Sequence, residues 1–467
     1  MRLPRPNPVH VDLDSDSGLS LIEILVAMMI FAMISISVAY SLTLSLTMAS
    51  DARQRVVAAN LAAEEVDLLR AVTDVFTVLD KTRTVVVGAD SYTVERSTNW
   101  FTGGNADASC GAGAGTLQYK RVNISVTWVG MRSATQPVQS DTILAPDGRI
   151  NDPSLGSILV SVLNASGTGS AGMAVTATPS AVAANTAVAL TTTPLATDAQ
   201  GCSYVLKVAP GTYDVKVTKT GYVDTAQALN TSVRTVTVAA GAAASAAFQL
   251  DLPAKYTVNY ASNYTAGTAL KPTNLEMTFF NTYGTFYSQA VVNPTQLHPF
   301  PAGYVGMPGH YITPGAVGGD CKSVDPEAWP SRTVGAITYD GERQPVAAAT
   351  PGGPITLAAP MGVAKVTLKS AGGTFLNAVS QSVGPTGTGD PGCAVGMTYS
   401  FGEVLSTSVS KQNTIALPYG SWKLYSATTA TGTTNLIATT AVTLTGEGTL
   451  TSAGGIVTFD PRTAVTP

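Results

Sequence analysis

An uninterrupted apolar run near the N-terminus constrains this chain more than any other feature. From Ile24 to Ser50 the sequence contains no charged residue, no proline and no glycine. As a single helix, this run is long enough to cross the hydrocarbon core of a bilayer, which is about 30 Å thick. One carboxylate, Glu23, lies at the start of the run. Charged groups in lipid are costly and usually mark a partner or a function, so Glu23 is a candidate functional residue.

The residues before the run form a pattern with Glu23. Gly18 is followed by Leu19, and Glu23 lies four residues after Leu19. This segment resembles the cleavage and methylation signature of the type IV pilin superfamily, which includes pilins, minor pilins and secretion pseudopilins. The resemblance implies cleavage between Gly18 and Leu19, N-methylation of Leu19, and pairing of Glu23 with the new amino group of a neighbouring subunit. Phenylalanine is more frequent than leucine in the family at the position of Leu19.

Three other interpretations of this stretch are open. An ordinary secretory signal would use Arg2 and Arg5 as its basic region and Thr47-Met48-Ala49 as its cleavage site, but such signals have an apolar core of only roughly 7–15 residues. A plain membrane anchor accounts for the length of the run but not for Gly18 beside Glu23. A buried core helix is disfavoured because the run is uncharged on every face.

The segments on either side of the run extend this interpretation. Residues 1–18 are predicted to be a cytoplasmic leader, because Arg2 and Arg5 there orient the rest of the chain outward. The helix is predicted to continue from Leu19 to about Thr73, since the segment after Met48 is rich in helix formers and has no breaker. We expect an apolar stripe of Val57, Leu61, Leu68 and Val72, with Arg53, Glu64 and Asp67 toward solvent.

The composition bounds the rest of the chain. With 467 residues it should form several domains. Only 12% of the residues are charged and the net charge is −4, which argues against a broadly nucleic-acid-binding surface. The four cysteines are Cys110, Cys202, Cys321 and Cys393. They permit three pairings, and proximity along the chain motivates the hypothesis that Cys110 pairs with Cys202 and Cys321 with Cys393.

After the helix we predict an α+β head and then all-β domains. Residues 19–80 are assigned to the helix and 81–150 to a small antiparallel pilin-like head, with a hairpin of 84–87 and 92–95 and a pair of 122–128 and 141–145. Residues 155–251 resemble a carboxypeptidase-regulatory-like β-sandwich. Residues 252–350 are a β region rich in aromatics and loops, and 351–467 are a second Ig-like sandwich, because residues 417–424 echo 209–215.

No catalytic constellation is evident in the sequence. G-x-G-x-x-G occurs at 167–172 and at 387–392, but both copies lie between β-type segments rather than between a strand and a helix, so they are predicted to be turns. His298, His310, Asp320 and Cys321 match no metal-ligand spacing, and we expect the two histidines to be solvated loop residues. The aromatic residues Tyr283, Phe286, Tyr287 and Tyr304 either fill a core, which is the commoner case, or form a recognition surface.

These observations predict a structural protein, not an enzyme, with no cofactor and no metal. The resemblance implies a minor pilin or pseudopilin that displays its β modules for adhesion or priming. Its implied partners are a prepilin peptidase and methylase, other pilin subunits, an inner-membrane assembly platform, and membrane lipid before assembly; no nucleic acid is implied. The alternative is a membrane-anchored surface binding protein that does not polymerise.

Overall fold

The computed structural model describes residues 20–103, 107–108, 110, 117–131, 136–146, 152–310, 323–393 and 396–464. The chain divides into two compact units. Unit 1 comprises the residues up to 101 together with 118–148, and unit 2 comprises 102–117 together with 149 onward. One long N-terminal helix is followed by many β-strands in several mainly antiparallel sheets. This confirms the predicted fold class.

The described residues up to Asp251 contain the long helix and eleven strands. The helix α1 is Leu21–Arg70, and a short 3₁₀ turn, Val75–Thr77, follows it. Two further 3₁₀ turns lie in the C-terminal part of the chain, at Pro326–Ala328 and Thr439–Ala441. The first strands are β1 Lys81–Val87, β2 Asp90–Thr102, β3 Asp107–Ala108, β4 Leu117–Trp128 and β5 Val138–Leu144. Next come β6 Gly156–Leu163, β7 Ala174–Pro179, β8 Cys202–Val208, β9 Gly211–Asp224, β10 Leu229–Val238 and β11 Ala243–Asp251.

The remaining strands belong to the C-terminal part of unit 2. They are β12 Ala254–Tyr260, β13 Glu276–Asn281, β14 Gly284–Gln289, β15 Thr295–Leu297, β16 Val305–Pro308, β17 Arg332–Val334, β18 Ile337–Asp340 and β19 Pro354–Ala359. They continue with β20 Gly362–Leu368, β21 Phe375–Ser380, β22 Thr398–Glu403, β23 Lys411–Leu417, β24 Gly420–Ala427, β25 Asn435–Leu436, β26 Val442–Leu444, β27 Gly448–Thr451, β28 Ile456–Phe459 and β29 Thr463–Ala464.

In unit 1 the second half of α1 packs on an antiparallel sheet in the order β1-β2-β4-β5. The predicted hairpin is present, with Val85 opposite Tyr92. The predicted pairing of the next two strands is also present, with Asn123 opposite Asp141. Alternate residues of β4 point into the core, as the period of two along a strand requires. These buried residues are Val122, Ile124, Val126 and Trp128.

The predicted apolar stripe of α1 is wrong in part. Leu68 is 56% exposed and Val72 lies beyond the end of the helix, although Leu61 is buried. The buried residues are Ala58, Leu61, Ala62, Glu65, Val66 and Leu69. With a helix of 3.6 residues per turn, this face is centred about 80° around the helix from the predicted stripe. The prediction counted only valine and leucine, whereas small alanines allow the sheet to approach closely. Arg53, Glu64 and Asp67 point toward solvent, as expected.

The first part of unit 2 is a two-layered β structure. The strand order is β10-β9-β11-β6-β8, and β7 pairs with β9. β9 and β11 pair only through Leu250 with Asp224 and Asp251 with Val223. The sheet therefore folds over at this corner, and its two layers enclose one apolar core that includes Val160, Val175 and Val217. The strands from β6 to β11 thus form a two-layered sandwich, which is called the first sandwich below.

Two further cores follow in unit 2. The first is built from the sheets β15-β12-β19 and β14-β13-β16. The second is built from β23-β20-β26 and the larger sheet β22-β21-β24-β28-β27. The pair β12–β19 joins Tyr256 to Ile355 and carries Leu357 into the earlier core. The division between these two parts therefore falls near Pro360, and not at residue 350 as the sequence suggested.

A repeated corner supports the predicted similarity between residues 209–215 and 417–424. In the first copy Gly211 has φ +151°, and the Tyr213 hydroxyl donates to the Ala209 carbonyl at 3.0 Å. In the second copy Gly420 has φ +122°, and the Trp422 Nε1–H donates to the Pro418 carbonyl at 2.9 Å. In both copies the glycine allows the chain to cross from one sheet to the other, and the buried aromatic ring two residues later fixes the turn.

We expect Tyr213→Phe to lower the free energy of unfolding of the first sandwich by about 1–3 kcal/mol. The Tyr213 side chain is fully buried, and its hydroxyl also lies 3.0 Å from both the backbone nitrogen and the carbonyl oxygen of Val188. Removal of the hydroxyl takes this partner away from three backbone groups. Urea unfolding monitored by far-ultraviolet circular dichroism measures the change. The control is Tyr283→Phe, because Tyr283 is 62% exposed; an equal effect of the two substitutions would contradict the assignment.

A disulfide joins Cys110 to Cys202, with 92 residues of sequence separation. This is the first of the two pairs hypothesised from the sequence. Both residues belong to unit 2, although residues 102–117 connect two strands of unit 1. Cys393 is also disulfide-bonded. Its hypothesised partner, Cys321, lies outside the described residues.

Candidate functional site

The first half of α1 is an exposed apolar rod. Every residue from Leu21 to Leu46 is exposed, including large side chains such as Phe31 and Ile36. In the part of the chain that the structure describes, α1 is the one helix that is long and apolar enough to cross a membrane. The whole helix of 50 residues is about 75 Å long at 1.5 Å per residue. An exposed apolar surface of this size favours contact with lipid or with other apolar surfaces over contact with water.

Three hydroxyls in or just after this rod are bonded to the helix backbone itself. The hydroxyls of Ser37, Thr43 and Thr47 donate to the carbonyls of Met33, Ala39 and Leu44 at 2.8, 2.9 and 2.8 Å. In lipid there is no water to bind such groups, so internal hydrogen bonds lower the cost of burying them. These three hydroxyls therefore add little to the cost of placing this part of α1 in an apolar environment.

Glu23 lies in the first turn of α1, and its backbone N–H donates to the Ser20 carbonyl at 3.0 Å. No ion pair to its carboxylate occurs among the described residues of this chain. The side chain lies beside Ile24, Ala27 and Met28 on the apolar surface. An ionised carboxylate beside these apolar side chains would be costly in lipid without a partner. The predicted cleavage-site residues Gly18 and Leu19 lie outside the described residues.

A buried ion cluster fixes α1 to the sheet of unit 1, and it was not predicted from the sequence. The Glu65 side chain is 6% exposed and accepts from Arg83 Nε on β1 and from Arg96 on β2, both at 3.0 Å. Arg96 also donates to the Leu79 carbonyl at 2.8 Å. Glu65 lies seven residues after Ala58 on the buried face of the helix. A spacing of seven residues places two side chains on the same face of a helix. This spacing could have indicated that Glu65 is buried, but only if Ala58 had already been assigned to the buried face.

The histidine prediction is wrong for His298, which is fully buried. Its ring lies 4.4 Å from that of Phe300, and its backbone N–H donates to Gln227 Oε1 at 2.7 Å. The Tyr304 hydroxyl donates to the His298 carbonyl at 3.0 Å. Burial lowers the pKa of His298 to about 4, and the negative charges of Asp251 and Asp224 oppose this shift without cancelling it. The side chain therefore remains neutral at neutral pH.

The low pKa of His298 predicts a pH dependence of stability. The unfolded chain binds a proton at His298 below about pH 6.5, whereas the folded chain does so only below about pH 4. The free energy of unfolding of unit 2 should therefore fall by about 3 kcal/mol as the pH drops through this window, and no further below it. Urea unfolding at pH 7, 5.5 and 4 measures this contribution as the difference between wild type and His298→Gln. Parallel pH curves for the two proteins would contradict it.

The remaining sequence candidates are not brought together into one site. Tyr304 is fully buried and Phe286 packs partly against the same core, whereas Tyr283 and Tyr287 are 62% and 46% exposed. His310 contacts Tyr287 with a ring separation of 3.9 Å. Both G-x-G-x-x-G copies lie between strands, as predicted. No cluster of metal-ligating side chains occurs among the described residues, and Asp320 and Cys321 lie outside them.

Comparison with known protein families supports the assignment of the N-terminal segment. A family model described as the prokaryotic N-terminal methylation motif matches residues 14–39. This range contains Gly18, Leu19 and Glu23 together with the start of the apolar rod. The chain therefore carries a prepilin-type N-terminal segment. No curated protein matches the chain.

Solved structures give only distant likeness. The Bacillus anthracis TIE protein is 13% identical, over 77% of this chain and 70% of that chain, with a TM-score of 0.18. A streptococcal ancillary pilin is 10% identical over 52% and 79% of the two chains, with a TM-score of 0.19. BcpA, the major pilin subunit of Bacillus cereus, is 10% identical over 67% and 95%, with a TM-score of 0.17. TM-scores this low do not establish a shared fold.

Proposed function

We propose that this chain is the precursor of a minor pilin or pseudopilin of a type IV pilus or a related filament. One observation carries the proposal: an exposed apolar helix bears a single carboxylate, Glu23, in its first turn, within a segment that matches the N-terminal methylation motif. A prepilin peptidase cuts the chain between Gly18 and Leu19, and Leu19 is then methylated. The helix holds the subunit in the membrane until it enters the filament.

The chemistry of assembly follows from the need to pair a charge in an apolar environment. Cleavage creates a positive amino group at Leu19, close to the apolar rod. In a bundle of such helices, Glu23 of one subunit pairs with the amino group of its neighbour, because either ion left alone in lipid is costly. The pair sets the axial position of each subunit relative to the next. The apolar surface from Leu21 to Leu46 supplies the packing area between neighbouring helices.

The β-sheet modules suggest where the subunit acts. Unit 2 contains most of the chain, and such a large module on every subunit would crowd a filament. A minor, tip-located subunit that displays these modules for adhesion or for priming of assembly accounts for their size. The proposed partners are the peptidase and methylase, other pilin subunits, the inner-membrane assembly platform, and lipid before assembly. The proposed location is the cell membrane with the C-terminal region outside the cytoplasm, and then the filament at the cell surface.

Filaments sheared from the native host test this proposal directly. An antibody against unit 2 should detect the chain in the sheared filament fraction, shortened by the length of the leader. A Gly18→Leu variant should keep the leader and remain in the membrane fraction, since it lacks the residue at which the peptidase cuts. If wild-type protein stays wholly in the membrane fraction while filaments are present, the chain is an anchored surface protein and the proposal fails.

A further inference from the structure

The strand pairing of the first sandwich determines how it resists a pulling force. β6, its first strand, runs parallel to β11, its last strand, from the pair Ser157–Ala243 to the pair Leu163–Gln249. In a parallel pair, the start of one strand and the end of the other lie at opposite ends of the ladder. A force that enters at the start of β6 and leaves at Asp251 therefore acts along the strands. It loads the whole ladder of hydrogen bonds at once, in shear.

The disulfide gives the force a different point of entry. Cys202 begins β8, which is antiparallel to β6, and it lies opposite Ser161 near the end of β6. Gln249 lies opposite Leu163 at that same end. Cys202 and the end of β11 are thus at one end of the sheet, two strands apart. A force between these points acts across the strands and breaks their hydrogen bonds one after another, by peeling.

The lengths of the connecting segments determine whether a pulling force first reaches the sandwich at Cys202 or at the start of β6. Cys110 lies eight residues after Thr102, the end of β2, and seven residues before Leu117, the start of β4. The other connection, from Leu144 to Gly156, is twelve residues long. At most these segments span about 28, 25 and 42 Å, at roughly 3.5 Å per residue. When a pull separates the ends of these segments, the two arms of Cys110 become taut first, and the force enters the sandwich at Cys202.

We infer that the disulfide makes the first sandwich an extensible element of fixed maximum length. Under tension, β8 to β11 peel away while residues 111–201 stay closed within the disulfide loop. Residues 202–251 can then extend by at most about 170 Å. The inference takes the origin of the tension from the proposed filament assembly. The extension itself depends only on the strand pairing and on the disulfide.

Pulling single molecules in an optical trap tests this inference. The full chain is held in detergent by tags at its two termini, and wild type is compared with the double variant Cys110→Ser/Cys202→Ser. Wild type should show an extension of about 170 Å at low force. The variant should instead show an extension of about 330 Å for residues 156–251 at a higher force, because β6 and β11 now resist in shear. An equal or lower force in the variant would overturn the inference.

A second measurement tests the inference on wild-type protein, so that it does not require the double variant to fold. Wild type is allowed to fold with its disulfides intact, and dithiothreitol is then added in the trap. The double variant treated in the same way controls for reduction of the disulfide at Cys393. The extension should change from about 170 to about 330 Å and move to higher force, as in the variant. Persistence of the low-force extension after reduction would also overturn the inference. Both results are independent of filament assembly, so failure of the proposed function would leave them unchanged.

Discussion

Glu23→Gln is expected to reduce incorporation of the subunit into filaments at least about 100-fold, while membrane insertion and cleavage continue. The substitution removes the charge but keeps the size of the side chain. The amino group of the neighbouring subunit would then be buried without its partner, and loss of one member of a buried ion pair costs about 3–5 kcal/mol. That cost corresponds to roughly a 100-fold to several-thousand-fold change in an equilibrium constant. Quantitative immunoblots of sheared filaments and membranes measure the ratio.

The matched control for this prediction is Glu23→Asp. The aspartate keeps the negative charge at the same position, one methylene shorter, so it should restore part of the incorporation that Glu23→Gln loses. If the Gln variant entered filaments as well as wild type, Glu23 would have no role in pairing. If both variants failed equally, side-chain size rather than charge would be the determinant, and the electrostatic explanation would be wrong.

Glu65→Gln should give the largest loss of stability in unit 1, about 3–5 kcal/mol in the free energy of unfolding. The carboxylate is 6% exposed and holds Arg83 and Arg96 at 3.0 Å each. The glutamine would leave both guanidinium groups without the charge that offsets their burial. Thermal unfolding in detergent, followed by circular dichroism of the β signal, measures the loss. The protein should also show faster hydrogen exchange in β1 and β2, the strands that carry the two arginines.

The adjacent residue supplies the control for this second prediction. Glu64 is on the same turn of α1, but its side chain is 56% exposed and its oxygen is 3.9 Å from Arg83. Exposed ion pairs contribute only about 0–1 kcal/mol, so Glu64→Gln should change stability little. A similar loss in the two variants would mean that general helix chemistry, and not the buried cluster, is responsible.

Local patterns in the sequence predicted a large part of this fold. The strand at 122–128 was evident because its apolar residues alternate, and alternation reports one buried face directly. The turn at 209–211 was evident from Pro210 and Gly211, since these residues favour the backbone conformations that such a turn needs. The membrane-compatible helix was evident from composition alone. Each of these features depends on residues that are close together in the chain.

Features that depend on distant partners were predicted less well. The buried face of α1 contains Ala58, Ala62 and Glu65, and none of these residues is identified as core by hydrophobicity alone. Their burial depends on the sheet that covers them. His298 is buried, and its backbone N–H donates to Gln227, which is 71 positions away in the sequence. No local pattern in the sequence indicates such a contact. For the same reason, the role of Glu65 was invisible until Arg83 and Arg96 were placed on neighbouring strands.

The N-terminus of the mature protein, determined by mass spectrometry on membranes and filaments of its native host, tests the central claim most directly. The proposed function predicts a terminus at Leu19 that carries an N-methyl group. An intact leader beginning at Met1 would mean that no prepilin peptidase acts on the chain and that it is a simple anchored protein. A terminus just after Ala49 would mean that the apolar helix is a removable signal, and it would contradict the role proposed for Glu23.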